Sequence, residues 1–94
     1  MELRFYEDPE TDLPHIYNHS VTEQEVREVL RGRGEDLPAQ SGSRQKLGHT
    51  MSGRYLKVIY VPDEPPLSAF VITAFELRGK AKAAFRRRQK RKGR

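Results

Sequence analysis

Apolar residues in this chain fall into three clusters, at positions 26–30, 55–61 and 67–77. Polar stretches rich in glycine, proline and serine separate them. The chain has 94 residues and a mean hydropathy of −0.85, which is low for a globular protein. Because the apolar residues are clustered rather than scattered, the pattern predicts a folded body with one small core. We therefore expect a single domain.

The clearest predicted element is a helix over residues 22–31. Its apolar residues repeat at the spacing of one helix face: Val26, Val29 and Leu30. Thr22 and Glu25 have the spacing of a capping box, in which each side chain bonds the backbone N–H of the other residue. Gly32 then ends the helix.

Four segments are predicted to be β-strands, and residues 55–61 give the strongest compositional signal, with β-branched and aromatic residues in a short run. They cover residues 3–6, 44–50, 55–61 and 67–75. The last of these has few polar residues, so we expect a central strand that is buried on both faces. Ser52 and Gly53 predict a turn between the second and third strands. Residues 62–66 predict a rigid loop, and residues 32–43 predict a loop with a short strand near 36–39.

Two further segments predict helices, residues 12–18 and residues 80–88. Apolar side chains give each of them a buried side. They are Leu13, Ile16 and Tyr17 in the first and Ala81, Ala84 and Phe85 in the second. We expect the last six residues to fray. The predicted order is β-α-α-β-β-β-α, an α+β fold with a small, mainly antiparallel sheet and the helices on one side.

Charge divides the chain into two parts. Residues 78–94 carry ten Lys/Arg and no acidic residue, whereas residues 1–77 carry eight Lys/Arg and thirteen Asp/Glu. We therefore predict a domain over residues 1–85 and a basic C-terminal tail over residues 86–94. Such a tail binds polyanions, and RNA or DNA is the default candidate. The alternatives are a solubilising tail and a tail that docks on the acidic face of its own domain.

The composition excludes several kinds of site. There is no cysteine, so the chain has no disulfide, no thiolate zinc site and no thiol catalysis. His15, His19 and His49 could offer three imidazoles to zinc, but no carboxylate has a recognisable ligand spacing. We predict neither a metal nor another cofactor. The N-terminus has no apolar run and no segment has the length of a membrane span, so we expect a cytoplasmic protein without a signal peptide.

Five segments, in order, resemble BrnT-type toxins over about residues 5–85. They are FYED at 5–8, NHSVT at 18–22, RQKLG at 44–48, GRYLKVIY at 53–60 and VITA at 71–74. The first resembles the opening of these toxins, and the second resembles their step into the first long helix. The other three resemble their Arg-x-x-x-Gly, Gly-Arg-x-Leu-x-Val-Val-Tyr and Ile-Ile-Ser-Ala strands. The resemblance implies the RelE/ParE-like toxin fold.

Proteins of this kind are bacterial toxins encoded beside an antitoxin protein. BrnT- and RelE-like members are ribonucleases that block translation, and ParE-like members act on DNA gyrase. The resemblance implies a type II toxin that cleaves RNA, alone or on the ribosome, by attack of a 2′-OH on the adjacent phosphate. The BrnT-like pattern has Arg directly after Ile-Ser-Ala, where this chain has Phe75. This departure favours an alternative, an inactive RNA-binding or regulatory module of the same fold; a gyrase-directed toxin is the weaker alternative.

Cleavage of this kind needs a base for the hydroxyl, cations for the phosphorane and an acid for the leaving oxygen. The catalytic candidates are Arg44, Arg54 and His19. The RNA-binding candidates are Lys46, Lys57, Arg78, Arg86, Arg87, Arg88, Lys90, Arg91 and Lys92.

The cations of the predicted hairpin lead to a more specific hypothesis. We expect one phosphate-binding surface, which the antitoxin covers, formed by Arg44, Lys46, Arg54 and Lys57. Strand alternation places Lys57 and Tyr60 on opposite faces. The alternatives are ordinary solvated cations on the hairpin and a structural His19 that bonds a backbone carbonyl at the helix entry.

Overall fold

The structure is a computed structural model that describes residues 2–63 and 68–92. The described residues form seven strands and two α-helices. They are β1 (Glu2–Phe5), β2 (Glu7–Asp8), β3 (Leu13–Pro14), α1 (Glu23–Arg31), β4 (Gly34–Pro38), β5 (Arg44–His49), β6 (Tyr55–Asp63), β7 (Ser68–Glu76) and α2 (Gly79–Lys92). Short 3₁₀ helices cover His15–His19 and Gln40–Gly42. The predicted α+β class is confirmed.

Five strands form one mixed sheet in the order β1-β7-β6-β5-β4. The pairs from β7 to β4 are antiparallel, and β1 joins the other side of β7 in parallel. The sheet is therefore mainly antiparallel, as predicted, with one parallel pair that the local pattern did not indicate. Strands β2 and β3 form a separate two-stranded ribbon. A register irregularity lies between Ile59 and Tyr60 of β6 where that strand pairs with β7.

Helix α1 seals one face of the sheet, which we call the first face. The capping box is present: Glu25 N–H donates to the Thr22 hydroxyl, and Thr22 N–H donates to the Glu25 carboxylate. Buried side chains from α1 and from the first face form the main core. They include Val26 and Val29 of α1 and Leu56, Val58, Val71 and Ala74 of the sheet. A Cβ on Gly48 would lie 3.2 Å from the Val29 side chain, so glycine permits this close packing.

Helix α2 packs on the opposite side of the sheet, the second face. Phe85 is 1% exposed and packs with Leu47 and Leu77. Leu47 precedes Gly48 in β5, and successive strand residues point to opposite faces. The prediction of helices on one side is therefore wrong. The α2 sequence has one large apolar residue, so its pattern does not specify which face it covers.

Several predicted elements differ from the structure in detail. Residues 12–18 form β3 and the start of a 3₁₀ helix; Ile16 is buried, but Leu13 and Tyr17 are 51% and 42% exposed. The loop at 32–43 contains β4, which is longer than the short strand predicted there. Ala81 of α2 is exposed, and Ala84 is half-buried.

The end of α2, the burial of β7 and the start of the predicted loop at 62–66 also differ from the predictions. Helix α2 continues to Lys92, so the predicted fraying is wrong for residues 89–92. Strand β7 is buried on the first face only, because α2 covers just part of the second face. Pro62 and Asp63 belong to β6, and the rest of the predicted rigid loop, with Leu67, lies outside the described residues.

Candidate nucleic-acid interface

Helix α2 is held on the second face by one aromatic ring and one ion pair. The Phe85 ring packs edge-to-face on Tyr55, with 5.9 Å between ring centroids. Three residues later, Arg88 donates to both carboxylate oxygens of Glu35 in β4, at 2.5 and 2.8 Å. Glu35 is 9% exposed, and its hydrogen bond raises the pKa of Arg88. The predicted boundary at residue 85 thus lies inside a helix that is anchored on both sides of it.

Other cations of α2 do not take part in this ion pair. We call four of them the basic ridge: Lys82, Arg86, Arg87 and Lys90. The last three are exposed, and Lys82 is half-buried. None of the four has an acidic partner among the residues that the structure describes. Because exposed, unpaired cations bind phosphate without first breaking an ion pair, the ridge is a surface suited to a polyanion.

Tyr55 lies directly beneath the ridge. Lys82 Nζ and Arg86 Cζ lie 5.4 and 5.7 Å from the centroid of its ring. These two cations are four residues apart, so they project from the same side of α2. A half-buried ring flanked by two cations offers a stacking surface and phosphate ligands in one place.

Two concave regions meet at Tyr55 and Gln89. One, of about 600 Å³, runs along α2 and is lined by Tyr55, Ala83, Arg86, Arg87, Gln89 and Lys90. The other, of about 560 Å³, lies between α2 and the end of α1 and is lined by Gly32, Arg33, Gly34, Lys46, His49, Tyr55 and Gln89. The buried Gln89 side-chain nitrogen has no hydrogen-bond partner within the described part of the chain. A polar group without a partner at this junction suits a ligand that accepts a hydrogen bond.

His49 is the one imidazole beside this junction among the described residues. Its ring is exposed and lies 5.8 Å from the Tyr55 ring. Nδ1 is 3.1 Å from the carbonyl oxygen of Thr50. A carbonyl only accepts, so this bond places the proton on Nδ1 and leaves Nε2 as the basic nitrogen.

Arg44, a predicted catalytic residue, lies on the first face and forms an ion pair with Asp36 of β4. It donates to the Asp36 carboxylate at 2.8 Å and to the Asp36 carbonyl oxygen at 3.2 Å. The Tyr60 hydroxyl donates to the same carboxylate. The hydrogen bond to Asp36 raises the pKa of Arg44, and burial, with Asp36, raises the pKa of Tyr60 to about 12.

Lys46 lies on the same face as Arg44 and caps α1. Its ammonium donates to the carbonyl oxygen of Gly32 at 2.9 Å and approaches that of Leu30 at 3.5 Å. A cation at the C-terminus of a helix satisfies carbonyls that have no partner within the helix. Lys46 therefore has a structural role, as a cap on the C-terminus of α1.

Arg54 joins three parts of the fold. It donates to the Ser20 carbonyl at 2.7 Å and to both Glu25 carboxylate oxygens at 3.0 and 3.1 Å, and it lies 3.5 Å from Glu76. Burial alone would raise the pKa of Glu25, but the bonds from the Thr22 backbone and Arg54 lower it overall. This cluster connects α1, the hairpin turn and the end of β7.

His19 and Lys57 meet at Phe75, away from Arg44. The His19 ring contacts those of His15 and Phe75, with centroids 5.3 and 6.0 Å apart, and Lys57 Nζ lies 5.8 Å from the Phe75 centroid. Within the described residues the His19 side chain makes no hydrogen bond, so the structural alternative of a bond from its ring to a backbone carbonyl is not present. The opposite placement of Lys57 and Tyr60 is confirmed.

The predicted candidates therefore do not form one site. Arg44 begins β5 and Arg54 follows the turn at its other end, roughly 17 Å away along the strand. Lys57 lies on the second face, opposite Arg44 and Lys46. Arg78 is 81% exposed and approaches Glu76 at 3.4 Å. Of the tail candidates, Arg86, Arg87 and Lys90 lie on the ridge, Arg88 binds Glu35, Arg91 is exposed, and Lys92 is the last residue of α2.

Tyr55, His49, Gln89 and Arg33 were not among the predicted site residues. Strand pairing places His49 directly opposite Tyr55, and a hairpin with a turn at residues 50–54 has this register. The sequence could therefore have predicted that His49 lies beside Tyr55. Gln89 reaches the junction because α2 crosses the second face, and Arg33 reaches it from the connection between α1 and β4. The sequence specifies neither placement.

Comparisons with protein-family models, with curated proteins and with solved structures find no match for this chain. The resemblance to BrnT-type toxins therefore stays a prediction.

The described residues offer neither a metal site nor a membrane-spanning helix. No group of three or more His, Asp or Glu side chains is arranged to hold a metal ion there. No described helix has both the length and the apolar character to cross a bilayer.

Proposed function

We propose that this protein binds RNA through the basic ridge and Tyr55. The observation that carries the proposal is the Tyr55 ring, flanked by Lys82 and Arg86 on a helix anchored by Phe85 and Arg88. The anchored helix fixes the positions of the cations before RNA arrives, so binding loses less conformational entropy than it would with a free tail. Phosphates lie on the ridge, and a base enters the junction at Tyr55 and Gln89. For this role we propose a cytoplasmic location, where RNA is present.

The test measures RNA affinity as a function of salt. With four phosphate contacts to single-stranded RNA, the affinity falls roughly fiftyfold between about 50 and 200 mM salt. The double variant Arg86→Gln/Arg87→Gln removes two contacts, and the slope of log affinity against log salt falls by about 1.4. Arg27→Gln/Arg31→Gln on α1 removes the same charge elsewhere and serves as the matched control.

Two results would contradict binding at the ridge, and a third would favour a different function. An unchanged slope in the Arg86→Gln/Arg87→Gln variant, or an equal change in the α1 control, contradicts binding at the ridge. Binding to gyrase without RNA binding would instead favour the ParE-like alternative.

A second candidate function is RNA cleavage of the BrnT/RelE type, in a type II toxin with a cognate antitoxin and a RelE/BrnT-like fold. The observation that favours it is His49, which lines the cleft together with Tyr55 and Arg33 and bonds a carbonyl through Nδ1. His49 would take the proton of a 2′-OH as the oxygen attacks the adjacent phosphate, and Arg33 would stabilise the phosphorane. The P–O5′ bond would then break to leave a 2′,3′-cyclic phosphate, and the leaving 5′-oxygen would take a proton from water. In the sequence-based hypothesis, Arg44, Arg54 and His19 have these roles.

Mapping new RNA 5′ ends, with and without translating ribosomes, distinguishes the two assignments. Under the His49 assignment, His49→Gln abolishes cleavage and retains RNA binding, while His19→Gln cleaves like the parent protein. The reverse pattern would favour the sequence-based set. If no variant, including the parent protein, produces new ends while RNA still binds, the protein is a binding module without nuclease activity.

A further inference from the structure

The second face of the sheet remains uncovered beyond α2. On the first face, the side chains of Leu56, Val58 and Val71 are fully buried. On the second face, the neighbouring apolar side chains are only half-buried. They are Ile59, Val61, Phe70 and Phe75. Neither α1 nor α2 packs on them, although the His19 ring of the 3₁₀ helix contacts Phe75, so an apolar surface is left open on a strongly charged protein.

Two aromatic rings of this open area each have a cation beside them. Arg4 Cζ lies 5.4 Å from the Phe70 centroid, and Lys57 Nζ lies 5.8 Å from the Phe75 centroid. Arg4 is also paired with Asp63, whereas Lys57 has no acidic partner among the described residues. Each ring therefore combines a stacking surface with an adjacent positive charge.

The rings lie in line with the basic ridge. Lys57 pairs directly with Phe75, and Tyr55 is two residues before Lys57 on the same strand and face. Phe70 pairs with Val61, six residues beyond Tyr55 along β6. At the rise of an extended strand, the track from Tyr55 to Phe70 is about 20 Å long. Between its two ends the track passes Ile59 and its partner Thr73.

We propose that this open area is a stacking platform for the bases of single-stranded RNA, with Phe75 and Phe70 as the stacking rings. The inference rests on the proposed RNA binding and specifies its ligand class. Phosphates of the bound strand lie along Lys57 and the basic ridge. This charge complementarity favours RNA over a protein partner as the occupant of the open area. Stacking on a ring accepts any base, so we expect weak sequence preference. In a duplex the bases are paired and stacked on one another, so the platform excludes it.

The experiment compares a short oligouridine with the same strand in a duplex with oligoadenosine. Binding of both is measured by fluorescence anisotropy for the parent protein and for Phe70→Leu/Phe75→Leu. Leucine keeps the surface apolar but removes the rings. We expect the variant to lose roughly tenfold or more in affinity for the single strand and to bind the duplex unchanged. Tyr6→Leu removes an aromatic residue that is 43% exposed outside the platform and is the matched control.

A second readout reports stacking itself. A 2-aminopurine base in the single strand is quenched when it stacks on an aromatic ring, so the parent protein should quench it and the double variant should not. Circular dichroism and the thermal midpoint verify that the variant is folded.

The failures are distinguishable. If the parent protein binds neither RNA form, the proposed function fails. If it binds both forms equally and the double variant behaves like the parent, RNA binding stands and the platform is overturned. If the double variant changes the oligomeric state and leaves RNA affinity unchanged, the open area is a contact between protein chains, and the platform is equally overturned.

Discussion

The two faces of the sheet bury their side chains to different extents. On the first face, Leu56, Val58 and Val71 have no exposed surface, and α1 contributes Val26 and Val29 to the same core. On the second face, Phe85 is the one fully buried large side chain that α2 contributes among the described residues. Stability is therefore concentrated on the first face. The second face keeps half-buried rings and unpaired cations available to a ligand, which costs burial but provides a binding surface.

The largest difference between the faces is expected in core truncations. Leu56 and Ile59 lie on the same strand, three residues apart and on opposite faces. We expect Leu56→Ala to lower the free energy of unfolding by about 2–5 kcal/mol, because it opens a cavity in a packed core. Ile59→Ala removes a half-buried side chain, and we expect it to cost about 1 kcal/mol. Urea denaturation measures both, and equal costs would contradict the contrast between the faces.

A smaller effect is expected from the ion pairs that hold the first face together. The pKa of Glu25 is lowered in the folded protein, so its charged form stabilises the fold above its unfolded pKa. This contribution is lost as the pH falls below about 4.5 and through the folded pKa. Glu25→Gln should therefore reduce stability at neutral pH by about 1–2 kcal/mol and flatten the acid side of the stability profile.

The control for this change is Glu23→Gln, an exposed carboxylate in the same turn of α1. Urea denaturation at a series of pH values should leave its acid profile close to that of the parent protein. An unchanged profile for Glu25→Gln would show that the Arg54 cluster does not stabilise α1.

Local signals predicted α1 and the β5-β6 hairpin correctly. The capping box and the i, i+3, i+4 repeat lie within one segment, and the hairpin joins neighbours across a short turn. The parallel pairing of β1 with β7 brings together residues 2–5 and 68–71, which no local pattern indicates. Phe85 and the Arg88–Glu35 pair hold α2 on its side of the sheet, and neither a single large apolar residue nor a distant ion pair leaves a periodic pattern in the sequence.

The same distinction applies to the site. Net charge predicted a basic C-terminal surface, and α2 provides one. Sequence reasoning assigned Arg44 and Arg54 to phosphate, but their carboxylate partners, Asp36 and Glu25, are 8 and 29 residues away. Such partners become visible only when the sheet is assembled. Whether a cation is available to bind phosphate therefore depends on the ion pairs that it forms in the folded protein, and the sequence does not show these pairs.

Chemical-shift mapping by NMR tests the central claim most directly. Single-stranded RNA is added to the labelled protein, and the perturbed amides and ring protons are located. RNA binding at the second face predicts changes at Tyr55, Phe75 and Arg86, and none at Val58 or Val29 in the sealed core. Changes confined to Arg44, Asp36 and their neighbours on the first face would contradict RNA binding at the second face. They would instead support the phosphate-binding surface that the sequence predicts.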